Sequence, residues 1–210
     1  MVAFTPGRHH VTHRKLHAGI LQRTPLHQGF LKVYRYVFDV ERQRGQRVQL
    51  TWELMERGHA VAVLGHDPKR DEVVLVNEFR PGALVAGDYP FRDNLVAGAI
   101  DEGESAIESA VREMQEEAGL ILHEPRLIHS GAYVSSGGTS EKITLVYGRV
   151  DTSKGGGIYG VSTEREETLA VIVPARTFIA RVRQGEINDF KTLVAGYWFA
   201  ERHATGNFDV

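Results

Sequence analysis

Gly98 to Leu120 reads GAIDEGESAIESAVREMQEEAGL and holds seven carboxylates. Ser105 followed by Glu108 is a capping-box pattern, which starts a helix by satisfying its first unpaired N–H groups. Gly119 supplies the stop, because glycine takes the left-handed C′ conformation at no steric cost. The spacing predicts a helix over Ser105–Ala118. At ~100° per residue, Ile107, Ala110, Val111, Met114 and Ala118 share an apolar arc. Glu113, Glu116 and Glu117 fall on a neighbouring polar arc, and like charges at that spacing repel. Arg112 offers one compensating charge inside the cluster. A solvated acidic face is the plain reading. A bound divalent cation is the better physical one, since hard cations such as Mg²⁺ take carboxylate oxygens.

On the N-terminal side, Asn94–Val96 is the strand expected to lead into this helix. Before it, His59–Leu64 and Val73–Phe79 flank the polar turn Asp67–Asp71 and predict a hairpin of mostly buried strands. Residues 80–90 are expected to be a long connection. From Leu16 to Arg57 the pattern is strand-like. Phe30, Lys32, Tyr34, Tyr36 and Phe38 alternate with the residues between them, a turn is expected at Glu41–Gln46, and a second strand at Val48–Met55. Both faces of the first strand carry large apolar groups, so a partner subunit is expected to cover one. Residues 1–57 are therefore read as a small antiparallel N-terminal unit, and 58–210 as the catalytic domain.

On the C-terminal side, strands are expected at 126–134, 142–150 and 169–173. Pro174–Gln184 reads as a helix ending at Gly185. Lys191–His203 reads as another, with Leu193, Val194, Tyr197 and Trp198 as its inner stripe. The fold class expected is α+β, a mixed β-sheet sandwiched between helices. GGGIYG at 155–160 satisfies a dinucleotide-binding string, but no βαβ unit follows, so it gets no such role.

The 210 residues, 42% hydrophobic, suffice for one good core. A formal charge of −2 argues against nucleic acid or an anionic membrane as the main partner. No apolar run approaches the ~20 residues of a membrane span, and the first residues lack the apolar segment of a secretory signal. With no cysteine there is no disulfide, thiolate nucleophile or Cys-ligated zinc. A cytoplasmic location is expected. His9, His10 and His13 lie close in sequence, but no helix or strand signal holds them, so no metal site is assigned there.

Gly98–Leu120 resembles the signature of the Nudix hydrolases, G-x5-E-x7-R-E-U-x-E-E-x-G-U with U an apolar residue. Gly98, Glu104, Arg112, Glu113, Met114, Glu116, Glu117, Gly119 and Leu120 fill every fixed position. The resemblance implies the Nudix fold and metal-assisted attack of water on the pyrophosphate of a nucleoside diphosphate linked to another group. It implies Mg²⁺, or Mn²⁺, with more than one ion per site. Glu113 and Glu117 would be the main metal ligands, Glu116 a further one, and the Ala97 carbonyl another. Gly98 would let the backbone bend close to the metal, and a Glu104–Arg112 salt bridge would hold loop to helix. The segments Glu56–Arg80, Ser135–Glu141 and Gly157–Glu166 resemble the ADP-ribose pyrophosphatase branch. That likeness implies AMP and ribose 5-phosphate as products, and a homodimer whose N-terminal sheets are exchanged. It also implies a general base on a mobile loop. Glu164 matches the base, Glu166 a metal-side helper, and Glu167 is a substitute.

For the substrate, Phe30 matches an aromatic that stacks on adenine, a plain core aromatic being the alternative. Arg80 matches an arginine near the nucleotide, and Gly137 and Glu141 belong to the matching SSGGTSE loop. Two positions depart from the branch. Ser136 stands where a proline is common, and Trp52 where a relative has an arginine that reaches the neighbouring subunit's substrate. Residues 185–192, GEINDFKT, resemble GDP-mannose-cleaving relatives, so GDP-mannose is the alternative substrate. A non-catalytic nucleotide-sugar sensor is the reading from another class, disfavoured because every acidic position of the signature is present.

Overall fold

The computed structural model describes residues 14–161 and 167–208. His9, His10, His13, Glu164 and Glu166 lie outside the described residues. The chain divides into two compact units, Met1–Glu56 and Arg57–Val210.

The N-terminal unit is an antiparallel sheet of β1 (Ala18–Gln28), β2 (Lys32–Glu41) and β3 (Arg47–Glu56), in that order. β2 lies between its neighbours with an unbroken register to β3, from Lys32 opposite Glu56 to Glu41 opposite Arg47. β1 was not expected as a separate strand. Its sequence, AGILQRTPLHQ, does not alternate cleanly, and the pairing to β2 slips at two irregularities, one just after Pro25. A proline without an N–H suits an edge strand of this kind. Phe30 therefore sits in the bend between β1 and β2 rather than in a strand, and it is 97% exposed. That sets aside the core-aromatic alternative. Tyr36 is the one buried hydrophobic residue in the described part of this unit. Its ring stacks on Phe38 at 5.5 Å and its hydroxyl donates to Glu56.

The second unit is built on a mixed sheet. Its strands are β4 (Ala60–Asp67), β5 (Glu72–Phe79), β6 (Phe91–Asn94), β7 (Val96–Ala99), β8 (His123–Tyr133), β9 (Lys142–Arg149), β10 (Gly157–Tyr159) and β11 (Thr168–Pro174). The order is β10-β11-β5-β4-β9-β8, with β6 on β5 and β7 on β4. β4 and β9 run parallel and the other pairs antiparallel. β4 and β5 pair only next to their turn, at Gly65–Asp67 and Glu72–Val74. Beyond that they diverge, and β6 and β7 fill the wedge. The wedge brings the signature glycine into the middle of the sheet.

Alternation along the strands divides the core. Val61, Val63, Val74, Val76, Val96 and Val146 pack on one face against Ala110, Met114 and Ala118 of α2 (Ala106–Ala118). On the other face Ala62, Leu64, Val73, Leu75, Leu145 and Val173 pack against α3 (Ala175–Gln184) and α4 (Phe190–Thr205). Helices thus cover both faces, as expected. The connection after β5 contains a short helical turn, α1 (Pro81–Val85), and β10 had no sequence expectation at three residues.

The inner stripe of α4 is corrected. Thr192, Ala195, Gly196, Phe199 and Ala200 are buried, Leu193 and Trp198 are half-buried against them as expected, and Val194 and Tyr197 are exposed. Small residues decide this. A side chain on Gly196 would collide with Val182 of α3, so the glycine edge is the one that comes close. Phe199 then fills the core between Phe178 and His66, at 6.1 and 5.0 Å between ring centroids. Phe199→Ala is expected to destabilise the protein by about 3–5 kcal/mol in urea denaturation, the usual range for an emptied aromatic site.

Candidate active site

α2 forms where its caps require it. The Ser105 side chain accepts from Glu108 N–H, the Glu108 carboxylate accepts from Ser105 N–H, and Gly119 ends the helix at φ 65°. A side chain on Gly119 would also overlap the Tyr159 ring, so the position is closed twice over. Of the expected apolar arc, Ala110, Met114 and Ala118 are buried, while Val111 turns partly to solvent. The helix is therefore rotated enough to carry acids inward. Glu113 and Glu117 are 8% and 4% exposed, with Glu116 at the rim.

Each acid has a defined partner. Glu117 Oε2 accepts the Ala97 N–H at 3.0 Å, which ties the helix to β7. The Glu113 carboxylate lies over Gly98, where any Cβ would overlap it. Gly98 lies in β7 and is not among the glycines with positive φ, so what its lack of a side chain provides here is room for Glu113. Arg112 spans the group. Its Nε and Nη2 bind both oxygens of Glu104 at 3.1 and 3.0 Å, and Nη2 also donates to the Ala99 carbonyl at 3.0 Å. Nη1 donates to Glu113 Oε1 at 2.6 Å and Glu116 Oε2 at 2.9 Å. Ser109 and the Asp101 N–H complete the setting of Glu104, which these bonds hold at a pKa of about 2. One arginine thus offsets three carboxylates, a reach that the pairing with Glu104 alone did not convey.

Glu117 behaves differently. Burial raises its pKa to about 8, with the charges of Glu78 and Glu113 adding to the rise, against opposition from the Ala97 N–H and Arg80. Sequence reading did not single out Glu78. The signal was the alternation in β5, where Val74 and Val76 face α2 and residue 78 follows on the same face. Arg80 contacts Glu78 at the end of β5.

Among the described residues, no three acidic or histidine side chains converge in a ready-made metal cage. The donor chemistry nonetheless fits a divalent cation. Glu113 and Glu117 are buried oxygen donors one helical turn apart, under like-charge stress, and the missing side chain of Gly98 is what gives the Glu113 carboxylate its place. A pH effect follows for protein stripped of metal with EDTA. A carboxyl raised from about 4.5 to about 8 on folding binds more protons folded than unfolded between those values. Stability should therefore fall as pH rises from about 5 to 8, by up to about 1.4 kcal/mol per pH unit. Glu117→Gln should flatten that slope in thermal melts.

The remaining sequence-derived residues are dispersed. Gly137 is in an exposed turn in which the Ser135 carbonyl accepts from Gly138 and Thr139, each at 3.0 Å. Glu141 is buried and 3.5 Å from Arg57. No hydrogen bond or ion pair among the described residues joins these two to the α2 carboxylates. Phe30 and Trp52, the latter 51% exposed on β3, belong to the N-terminal unit. Both flanks of residues 161–167 are anchored to the end of α2. Gly160 N–H donates to the Glu116 carbonyl at 3.2 Å, and the Thr168 hydroxyl to that of Glu117 at 3.0 Å. Glu167 is exposed beside Thr168. Gly157 begins β10 on the sheet edge, opposite Ala170.

A buried acidic helix face, an arginine clamp and a side-chain-free cradle on a mixed sheet define a class. Residues 56–189 match the NUDIX domain model, and the chain belongs to the Nudix family. It is 36% identical over 194 residues to an ADP-ribose pyrophosphatase of Escherichia coli K12, covering 92% of each chain. A Haemophilus influenzae ADP-ribose pyrophosphatase is 32% identical over 190 residues, covering 88% of this chain and 87% of that one. A GDP-mannose pyrophosphatase of Salmonella typhimurium is 28% identical over 173 residues, covering 80% and 87%. A crystal structure of an ADP compounds hydrolase superposes with a TM-score of 0.69 at 20% identity, over 94% of this chain and all of that one. No helix among the described residues is long and apolar enough to cross a membrane.

Proposed function

We propose that the protein hydrolyses the pyrophosphate of ADP-ribose, or a related ADP-sugar, to AMP and ribose 5-phosphate. The observation that carries this reading is the buried Glu113–Glu117 pair beside Gly98, on a chain kin over nine-tenths of its length to ADP-ribose pyrophosphatases. Divalent cations, Mg²⁺ or Mn²⁺ and more than one per site, would supply charge neutralisation and polarise the phosphoryl oxygens. Glu113 and Glu117, with Glu116 and the Ala97 carbonyl, would hold them. Arg112 keeps the carboxylates in place and, with Glu104, fixes the loop before α2. Arg80 provides positive charge for the substrate's phosphates. Water adds to one phosphorus as the bridging P–O bond breaks, giving one hydroxyl oxygen to one phosphate and a proton to the other. Glu164 is assigned as the base that takes the water's proton, with Glu166 as a metal-side helper and Glu167 as a substitute, on the resemblance and on the anchoring of both flanks of their segment to α2.

A homodimer formed through the N-terminal unit is part of the proposal. Ile20, Leu21, Leu26 and Trp52 are exposed there, which suits an apolar contact. Light scattering showing a monomer at micromolar concentration would remove it. Phe30 as an adenine-stacking residue predicts a raised KM for Phe30→Ala. Gly137 and Glu141 are carried as substrate-loop residues, and a cytoplasmic location goes with the substrate class. GDP-mannose is the second reading, favoured by the 28% relative. A panel of ADP-ribose, GDP-mannose, NADH and diadenosine polyphosphates with Mg²⁺, followed by product identification, decides. ADP-ribose should give the highest kcat/KM. A GDP-mannose rate above it would transfer the assignment, and no turnover of any would end it.

A further inference from the structure

Glu78 is an oddity of the site. It places a further carboxylate, its side chain 14% exposed, beside a helix face already crowded with acid. A buried like charge costs stability unless something is gained from it. Glu78 lies near the end of β5, two residues after Val76 on the strand face that packs against α2, and Arg80 follows just past the strand as the N-cap of α1, in ion-pair contact with Glu78. Arg80 is the last residue before α1, and its backbone is fully committed. Its N–H donates to the Pro90 carbonyl at 2.8 Å, and its carbonyl accepts from Ala83 and Leu84 at 3.0 and 3.3 Å. Its side chain has one ion-pair partner among the described residues, which is Glu78. An arginine on four rotatable bonds gains phosphate affinity when a partner fixes its fork in advance.

We infer that Glu78 is a positioning residue: its carboxylate, near the end of β5, holds the Arg80 guanidinium beside the acidic face of α2, ready for a phosphate oxygen of the substrate. This rests on the pyrophosphatase reading above, with Arg80 as the phosphate contact. Glu78 thus acts on binding through Arg80 and not on the cations.

The test is a double-mutant cycle on the full chain with ADP-ribose and saturating Mg²⁺, using Glu78→Gln, Arg80→Ala and the pair. Each single variant should raise KM about tenfold with kcat altered less than about threefold, and the pair should be no worse than Arg80→Ala alone. Glu78→Asp, which keeps the charge but withdraws it, should recover part of the loss and serves in the cycle if the Gln variant fails to fold. Multiplying effects in the pair would overturn the inference. So would a loss confined to kcat together with weakened Mn²⁺ binding by electron paramagnetic resonance, which would make Glu78 part of the cation centre. If wild type binds ADP-ribose in calorimetry without cleaving it, the hydrolase reading fails. The same cycle run on dissociation constants then still decides the pairing.

Discussion

Glu117→Gln is expected to lower turnover of ADP-ribose by about a thousandfold or more while leaving the fold intact. Glutamine keeps the shape and can still accept the Ala97 N–H, so the tie between α2 and β7 survives. It removes the charge that would face the cations, and charge stabilisation of that kind is worth several kcal/mol, or about three decades in rate. A neutral group also relieves repulsion from Glu78 and Glu113, the same repulsion that lifts the Glu117 pKa. The variant should therefore melt at the same temperature as wild type or higher at pH 8 in EDTA. Lost activity with gained stability is the pattern of a residue strained for function. Near-normal turnover would remove Glu117 from the metal centre.

Gly98→Ala is expected to cost both activity and stability. The added methyl has no room, because the Glu113 carboxylate occupies its place. Overpacking of this kind costs about 1–3 kcal/mol. The larger effect is on the reaction. Glu113 must swing away, taking its bond to Arg112 with it, and a displacement of about 1 Å at a catalytic group can lower rate about a hundredfold. Steady-state kinetics and a urea melt measure the two losses separately. If the cause is loss of the cradle, Glu113→Asp in the Gly98→Ala background should recover part of the stability, because the shorter carboxylate needs less space.

Much of the site was legible because α2 obeys local rules. Ser105, Glu108 and Gly119 mark its ends, and the spacing of Glu113, Glu116 and Glu117 places them on one side with no help from the rest of the chain. The sheet sandwich followed in the same way from strands around one helix. What local patterns missed depends on partners distant in sequence. Of the expected α4 stripe Leu193 and Trp198 do pack against the core, whereas Val194 and Tyr197 face out because contact with α3 selects the small Gly196. Glu78 was overlooked because a carboxylate at the end of an apolar strand resembles an ordinary polar terminus until α2 is packed over that face. The overlap of a Gly98 side chain with Glu113 was not legible, because it depends on where α2 packs against β7. β1 escaped as a separate strand because an irregular, proline-containing edge carries no clean alternation.

The central proposal is that the acidic face of α2 serves the cleavage of a pyrophosphate with divalent cations. Phosphorus NMR of ADP-ribose incubated with the protein tests it most directly, run with Mg²⁺ and again with EDTA. With Mg²⁺ the paired pyrophosphate resonances should vanish, replaced by the separate monophosphate signals of AMP and ribose 5-phosphate, and EDTA should stop the conversion. Pyrophosphate signals that persist in Mg²⁺, or conversion unaffected by EDTA, would contradict it.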